Sequence, residues 1–494
     1  MNERDVLSTI KYVSSMGEEF SLSSIVEYLE DTPGLDDLYS FLNPHLTDLN
    51  LIAQRMDDDY IIRKKPLYDI LIPDQTDNEK IIEFFRHPSI PKDLQSQIIR
   101  YIEQKTQKPW DDPAVLERIR HAIILQKAQY WEKERDIEYQ KGYSVIGYLA
   151  YQAPVYLIQF EHILHTLAMD GLMKTHMRIL DAGTGPGVVP LAIVDFFSVL
   201  GGYSADIYAI ERSEEFLQAY KEIVLPYAQN YPGIAIHPPL RADLRELSLE
   251  DYPTSLDLIV VQNVLNEIEG TDPGYAADIL LRLSTLLSGD GSIIVAEPAD
   301  LDNSTSMRRI IHAAASRGLS IYSPCPLFWG VKCRSENCWS FVEKPPVRPT
   351  ALMEKVAIGK ESYRFLNTDI KYSYAILRKD DRIREPFRIP RGARYARFST
   401  LRSHIDRRIN VVGAVMSGDL GDEKNHVFKL CDGTAQRPVF AILPFFHTGP
   451  ANETILSLPY GSPAEFSQVL VRYNKKHDSF NLLISRHSRV VPLE

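Results

Sequence analysis

Between residues 178 and 298, apolar runs alternate with polar loops and helical stretches in a regular order. A short buried strand ends at Asp181, a loop carries Gly183, Gly185 and Gly187, and Val188-Val-Pro-Leu-Ala-Ile-Val194 opens a helix. Asp206-Ile-Tyr-Ala-Ile-Glu211 reads as a second strand, and a third apolar stretch precedes Arg241-Ala-Asp243-Leu244. Leu256-Asp-Leu-Ile-Val-Val-Gln262 is a fourth strand leading into Asn263-Val-Leu-Asn-Glu267, and Gly291-Ser-Ile-Ile-Val-Ala-Glu297-Pro298 supplies a fifth. Strands that alternate with helices predict a parallel α/β sheet.

The flanking regions follow other patterns. Residues 1–140 read as a mostly helical, acidic module: Ser21–Glu30 and Asp36–Leu42 as two short helices and Tyr60–Leu67 as part of a hairpin, the outline of a winged helix. Ala114–Lys141 reads as one long charged helix with an apolar stripe at Leu116, Ile119, Ile123, Ile124 and Tyr130. Gly147–Tyr156 and the helical Leu157–Met169 lie just ahead of the glycine loop, where Tyr148, Tyr151 and Tyr156 either cover a ligand or fill the core. The α/β domain is placed at 141–345 with an irregular loop at 323–341, a basic and aromatic connecting segment at 346–408, and a β-rich domain at 409–494. Short strand-like runs separated by turns such as Gly418-Asp-Leu-Gly421 predict a small antiparallel barrel or sandwich of oligonucleotide-binding type for that last part.

With 494 residues, 44% hydrophobic and 24% charged, the chain can build two or three domains with cores of their own. No apolar run approaches the ~18 residues of a membrane helix, and Met1-Asn-Glu-Arg-Asp-Val-Leu7 resembles neither a signal nor a transit peptide, so a soluble cytoplasmic protein is expected. The net charge of −11 argues against a uniformly nucleic-acid-binding surface. Asp31, Asp36, Asp37, Asp57, Asp58 and Asp59 disfavour DNA contact by the first module. From Lys371 to Arg408, however, twelve Lys or Arg face four acidic residues, a local charge of +8, with Tyr372, Tyr374, Phe387, Tyr395 and Phe398 interleaved. Cations can neutralise phosphates while rings stack on unpaired bases, so RNA contact is expected at Arg378, Lys379, Arg388, Arg391, Arg394, Arg397, Arg407 and Arg408; a solvated charged face is the plain alternative.

The glycine loop carries the first candidate chemistry. Glycines let backbone amides approach a ligand, and the helix start behind them aims a positive dipole end at it. Glu211, at a strand end, is suited to a ribose diol and Asp243 to an adenine amino group. The order D-x-G-x-G-P-G, acidic end of the second strand, Asp after the third and a fourth strand reaching the ligand resembles class I S-adenosylmethionine (SAM) methyltransferases. That resemblance implies a SAM site at Asp181, Gly183, Thr184, Gly185, Gly187, Glu211, Asp243 and Asn263. Asn263, Asn266 and Glu267 would lie near the methyl group without declaring a base, and no Asn-Pro-Pro-Tyr motif or catalytic cysteine pair is present.

Cysteine supplies the second. Cys325, Cys333 and Cys338 fall within fourteen residues among prolines, and Cys431 lies in Leu430-Cys-Asp-Gly433. Gathered thiolates can hold zinc or an iron–sulfur cluster, and the spacing C-x7-C-x4-C lacks the close pair of a zinc knuckle. Ala150-Tyr151, Pro154-Val-Tyr156, the glycine loop, Asn263–Ile268, Glu297-Pro298, Pro324-Cys-Pro326, Cys333, Cys338-Trp-Ser-Phe341, Tyr372–Lys379 and Leu430–Gly433 together resemble the mitochondrial and prokaryotic small-ribosomal-subunit methyltransferase-like family, over residues 145–440. The resemblance implies a [4Fe–4S] cluster on Cys325, Cys333, Cys338 and Cys431, and association with the small ribosomal subunit and its rRNA. The protein would methylate RNA or serve as a catalytically silent SAM-binding checkpoint factor.

Overall fold

The computed structural model describes residues 3–493 apart from 18, 30, 47–48, 50, 57–58, 65–69, 71, 131–141, 250–251, 269–272, 332, 334–337, 360 and 385–386. Two compact units divide the chain, Met1–Ile70 and Leu71–Glu494.

In the first unit, α1 (Glu3–Met16), β1 (Glu19–Ser21), α2 (Leu22–Val26), α3 (Leu35–Leu42), β2 (Leu51–Met56) and β3 (Asp59–Lys64) follow the winged-helix order, with strands arranged β1-β3-β2. Val6 and Ile10 of α1 meet Leu22, Ile25, Leu38, Leu42 and Ile62 in a small core. The Ser21 hydroxyl caps α2 by accepting the amide of Ser24 at 3.3 Å. Asp36 of α3 accepts the Tyr60 hydroxyl at 2.8 Å, and Tyr39 stacks on Tyr60 with centroids 4.0 Å apart. Asp57 and Asp58 lie outside the described residues.

The second unit begins with α4 (Gln75–Arg86), α5 (Lys92–Thr106) and α6 (Pro113–Tyr130), then α7 (Ser144–Tyr151) and α8 (Ala153–Met169). The single module expected over 1–140 is therefore divided: Ile81, Leu94, Ile102, Ile119 and Ile123 join the core of the α/β domain, and what breaks the module is this shared apolar surface. The last third of the expected Ala114–Lys141 helix, 131–141, lies outside the described residues.

Strands β4 (His176–Ala182), β5 (Ser204–Glu211), β6 (Ile234–Ile236), β7 (Leu256–Gln262), β8 (Leu287–Pro298), β9 (Ser320–Ser323) and β10 (Ile370–Arg378) form the central sheet in the order β9-β10-β8-β7-β4-β5-β6. β4, β5, β6, β7 and β8 are parallel, while β10 runs antiparallel to β8, with Tyr374 opposite Ala296, and to β9. This is the class I methyltransferase arrangement, with a reversed last strand inserted beside its neighbour. Its parallel strands are apolar on both faces because helices cover both. The connecting segment placed at 346–408 therefore starts too early. Tyr372, Ala375, Ile376 and Leu377 are buried in the sheet, and the α/β domain continues to Arg378.

After Arg378 the chain crosses to a barrel of β11 (Arg408–Val415), β12 (Asn425–Cys431), β13 (Val439–Pro444), β14 (Pro463–Asn474) and β15 (Ser479–Leu483). The pairing order β11-β12-β13-β15-β14 closes through β14 on β11, and β13 and β15 are parallel, as in the oligonucleotide-binding fold. Val411, Phe466, Val469, Val471 and Leu482 fill it. Among the described residues no helix is long and apolar enough to cross a membrane.

Candidate active site and cysteine junction

The chain leaves β4 towards β5 and returns at β7 on the other side, so the carboxyl ends of β4 and β7 flank the switch point where α/β sheets take ligands. A cavity of about 370 Å³ opens there, lined by Tyr148, Gly183, Gly185, Glu211, Arg212, Phe216, Asp243, Arg245, Gln262, Asn263 and Glu267 among others.

Each glycine of the loop has its own reason. The amides of Gly183 and Thr184 both donate to the Ile210 carbonyl at 2.9 Å, pinning the loop to β5. Gly187 adopts φ 94° at the start of α9 (Val188–Leu200), and a Cβ there would lie 2.2 Å from Val224 Cγ2 and 2.9 Å from Tyr220 Cδ2 on α10 (Glu214–Ala228). Gly185, at φ 55°, would meet nothing within 4 Å, so what it keeps open is the cavity wall.

Acids at the strand ends set the electrostatics. Asp181 is fully buried, and burial pushes its carboxyl up to about 7, with the Glu211 charge adding. Glu211 accepts the amides of Gly185 at 2.9 Å and Ser213 at 2.7 Å; burial raises its carboxyl while these amides oppose the rise. Asp243 faces the cavity, but Arg245 grips it, Nε lying 2.9 and 3.1 Å from its two oxygens, and holds it below the usual range. Glu267 faces Arg212 at 3.4 Å.

Asn263 is the most informative residue of the site. It sits at φ 56°, rare for a residue with a Cβ, and neither of its buried side-chain polar atoms has a partner among the described residues. Asn266 likewise leaves its carbonyl oxygen unmatched, although only Asn263 and Glu267 line the cavity. Beneath them Glu297, fully buried, accepts the amides of Val264 at 3.2 Å and Leu265 at 2.9 Å, and burial pushes its carboxyl up to about 8. Sequence reasoning placed Glu297 on the fifth strand without a role in the site. Its signal was the same as that of Glu211, an acid at a strand's carboxyl end. Arg212 and Arg245, each next to or near an acid already singled out, gave no signal of their own.

The four cysteines converge although 106 positions separate Cys325 from Cys431. A Cβ on Gly433, whose φ is 81°, would lie 2.6 Å from the Pro326 carbonyl, so the Cys-Asp-Gly turn of the barrel presses on the Pro-Cys-Pro loop. Burial pushes the Cys325 thiol up to about 12, with Cys338 and Cys333 adding, and the same two thiols join burial in raising Cys431. Among the described residues no three His, Cys, Asp or Glu side chains stand in ready-made metal geometry. Cysteine is a residue type that binds soft metals as thiolate, whereas burial here favours the neutral thiols of Cys325 and Cys431. Asp432 beside them is occupied, accepting the amides of Phe398 and Thr434 and Trp329 Nε1 at 2.8–3.0 Å.

The expected RNA-binding residues divide. Arg378 is buried, bonded to Ser292 Oγ at 2.8 Å, the Asp290 carbonyl at 2.9 Å and Asp380, so it holds the sheet and has no surface to offer. Lys379 donates to the carbonyls of Ser284 and Leu287. Arg408 donates to the Gln468 carbonyl at 2.7 Å, and Arg397 lies over the Trp329 ring at 4.5 Å. Arg388, Arg391, Arg394 and Arg407 are exposed. The interleaved aromatics do not form the expected stacking surface: Tyr372, Tyr374 and Phe398 are buried, Phe387 packs on Phe328, and the Tyr395 hydroxyl donates to Glu465. The sheet and barrel cores claim them. Glu385, one of the four acids in the charge count, lies outside the described residues.

The family model described as "Domain of unknown function (DUF8157) N-terminal domain" matches residues 3–55, and the corresponding C-terminal domain model matches 399–493. No curated protein matches the chain. Among solved structures, the chain is similar to TrmN from Thermus thermophilus, 18% identical over 46% of this chain with a TM-score of 0.27. That match spans 49% of the Thermus chain, about half its length. Magnesium protoporphyrin IX methyltransferase from Synechocystis, with SAH bound, is 11% identical over 51% of this chain and 93% of its own, at a TM-score of 0.28. A SAM-dependent methyltransferase from Leishmania major is 13% identical over 56% and 88%, at 0.30.

Proposed function

We propose that the chain binds SAM and acts as a methyltransferase on RNA of the small ribosomal subunit, with an iron–sulfur cluster at the junction of its α/β domain and barrel. The observation that carries the first part is Asn263: a strained residue with both side-chain polar atoms buried and unmatched, lining the same cavity as Gly185, Glu211 and Asp243. Such a group is kept where a ligand satisfies it.

Bound SAM supplies a methyl group on a sulfonium. Glu211, fixed by the amides of Gly185 and Ser213, has lone pairs left for a ribose diol. Asp243 meets an adenine amino group once Arg245 turns aside. Asp181 lies buried at the foot of the loop beside Thr184 and Glu211, and Glu297 holds the Val264–Leu265 turn that presents Asn263. No side chain here is set to take a proton from an acceptor, so transfer would run on proximity and alignment.

The four cysteines would hold a [4Fe–4S] cluster, whose contribution would be to clamp the barrel, and the resemblance of residues 145–440 to the small-subunit methyltransferase-like family is what supports that reading. Contact with rRNA would fall to Arg388, Arg391, Arg394 and Arg407. The pairing of Glu267, the carboxylate beside Asn263, with Arg212 favours the second reading, a silent SAM-binding assembly factor. Radiolabelled SAM with small-subunit rRNA separates them. Label in RNA supports the enzyme, calorimetric SAM binding without label supports the silent factor, and absence of binding overturns both.

A further inference from the structure

Gln262, the last residue of β7, is 7% exposed and lines the cavity beside Asn263. Its Nε2 donates to the backbone carbonyl of Tyr156 on α8 at 3.1 Å. A carbonyl can only accept, so this bond fixes which end of the amide faces α8. The other end, Oε1, is buried and has no partner among the described residues. A buried acceptor held in one orientation and left unmatched, on a residue of the cavity wall, calls for a hydrogen-bond donor from a ligand.

The place of Gln262 in the sheet says which donor. β4 lies between β7 and β5, with Asp181 opposite Val260 on one side and Ala182 opposite Ile210 on the other. Arg241, two residues before Asp243, is opposite Glu211 on the far side of β5. The cavity is therefore lined, from one side to the other, by Gln262, the glycine loop, Glu211 and Asp243. A ligand with its ribose diol on Glu211 and its adenine on Asp243 extends the rest of its length across the glycine loop towards β7. SAM offers donors at the adenine amino group, the ribose hydroxyls and the ammonium of its amino-acid end. The first two are matched by Asp243 and Glu211, and the third falls on the side of Gln262.

We propose that Gln262 Oε1, held in place by the Tyr156 carbonyl, accepts the ammonium of the cofactor's amino-acid end and makes the cavity selective for the intact cofactor over its truncated nucleosides. The proposal rests on the SAM reading above and deepens it. Gln262 is a binding residue here, and its role is read from affinity without any methyl transfer.

The test is calorimetric titration of the full chain, wild type and Gln262→Met, with three ligands. S-adenosylhomocysteine carries the whole amino-acid end, decarboxylated SAM keeps the ammonium without the carboxylate, and methylthioadenosine lacks both. Met keeps the length of the side chain and removes the amide oxygen, so the first two ligands should bind about tenfold more weakly and methylthioadenosine as in the wild type. Gln262→Glu, which keeps an acceptor at this place, should hold S-adenosylhomocysteine close to the wild-type level. If Gln262→Met yields no soluble chain, Gln262→Leu carries the same comparison. An equal loss for all three ligands would show that Gln262 only packs β7 against α8, and no loss for any would place it clear of the ligand; both overturn the proposal and leave SAM binding standing. A loss for S-adenosylhomocysteine alone would assign Gln262 to the carboxylate and overturn it as well. So would a wild type that binds methylthioadenosine as tightly as S-adenosylhomocysteine. A wild type that binds none of the three overturns the SAM reading itself.

Discussion

The cavity at the ends of β4, β5 and β7 and the cysteine junction are both buried polar sites, but they are built in opposite ways. Every wall of the cavity is held by the protein alone: the loop is pinned to the Ile210 carbonyl, Glu211 by two amides, and the Asn263 turn by Glu297. At the junction the protein brings four cysteines towards one another, and burial keeps the Cys325 and Cys431 thiols protonated. A preorganised pocket suits a ligand that comes and goes, whereas the proposed cluster would be a group that stays.

The sharpest way to break the first half of this contrast is Gly187→Ala. The new Cβ would overlap Val224 and Tyr220 in a backbone that disfavours it, so a loss of about 3–5 kcal/mol is expected, read from the denaturant midpoint. Gly185→Ala, with open space around it, should lose only about 1 kcal/mol of stability while still weakening SAM binding. Equal destabilisation by the two would contradict the separate roles given to these glycines.

Next comes Glu211→Gln. Removing a charged acceptor from the diol should weaken SAM by about 10–100-fold, roughly 1.5–3 kcal/mol, in a calorimetric titration, with the iron content untouched. An effect on iron would show that cavity and junction are one site.

Asp181 gives a pH test of up to about 4 kcal/mol. The folded chain holds its proton up to about pH 7, the unfolded chain only to about 4, so the folded state binds more protons between those values. Stability from this group is therefore lost as pH rises through that window. Asp181→Asn should remove the slope and melt above wild type at pH 8 but not at pH 4, while binding SAM poorly. A variant that melts below wild type at both would show the carboxylate to be structurally required.

The smallest effect is expected from Arg391→Glu with Arg394→Glu. Both side chains are exposed, and losing two phosphate contacts should flatten the salt dependence of rRNA binding by about two units of slope without changing Tm. An unchanged slope would remove these residues from the RNA surface.

Much of the cavity was legible because its parts are local. A glycine loop after a strand, acids at strand ends and a parallel sheet apolar on both faces each announce themselves within a few residues. Arg378 and the interleaved aromatics were misread because charge and ring counts say nothing of which face a residue takes, and β10 turns Tyr372, Tyr374 and Arg378 inwards. The domain edge at Ile70 was hidden because α4–α6 are amphipathic, and amphipathic helices do not say which core they join.

The most direct test of the account is iron and acid-labile sulfide analysis with a visible spectrum on anaerobically purified protein, repeated on Cys431→Ser. About four irons per chain and a broad band near ~400 nm, both lost in the variant together with protection of the 379–407 segment from protease, is the predicted result. Zinc, or iron that survives the loss of Cys431, would contradict a cluster that joins the barrel to the methyltransferase fold.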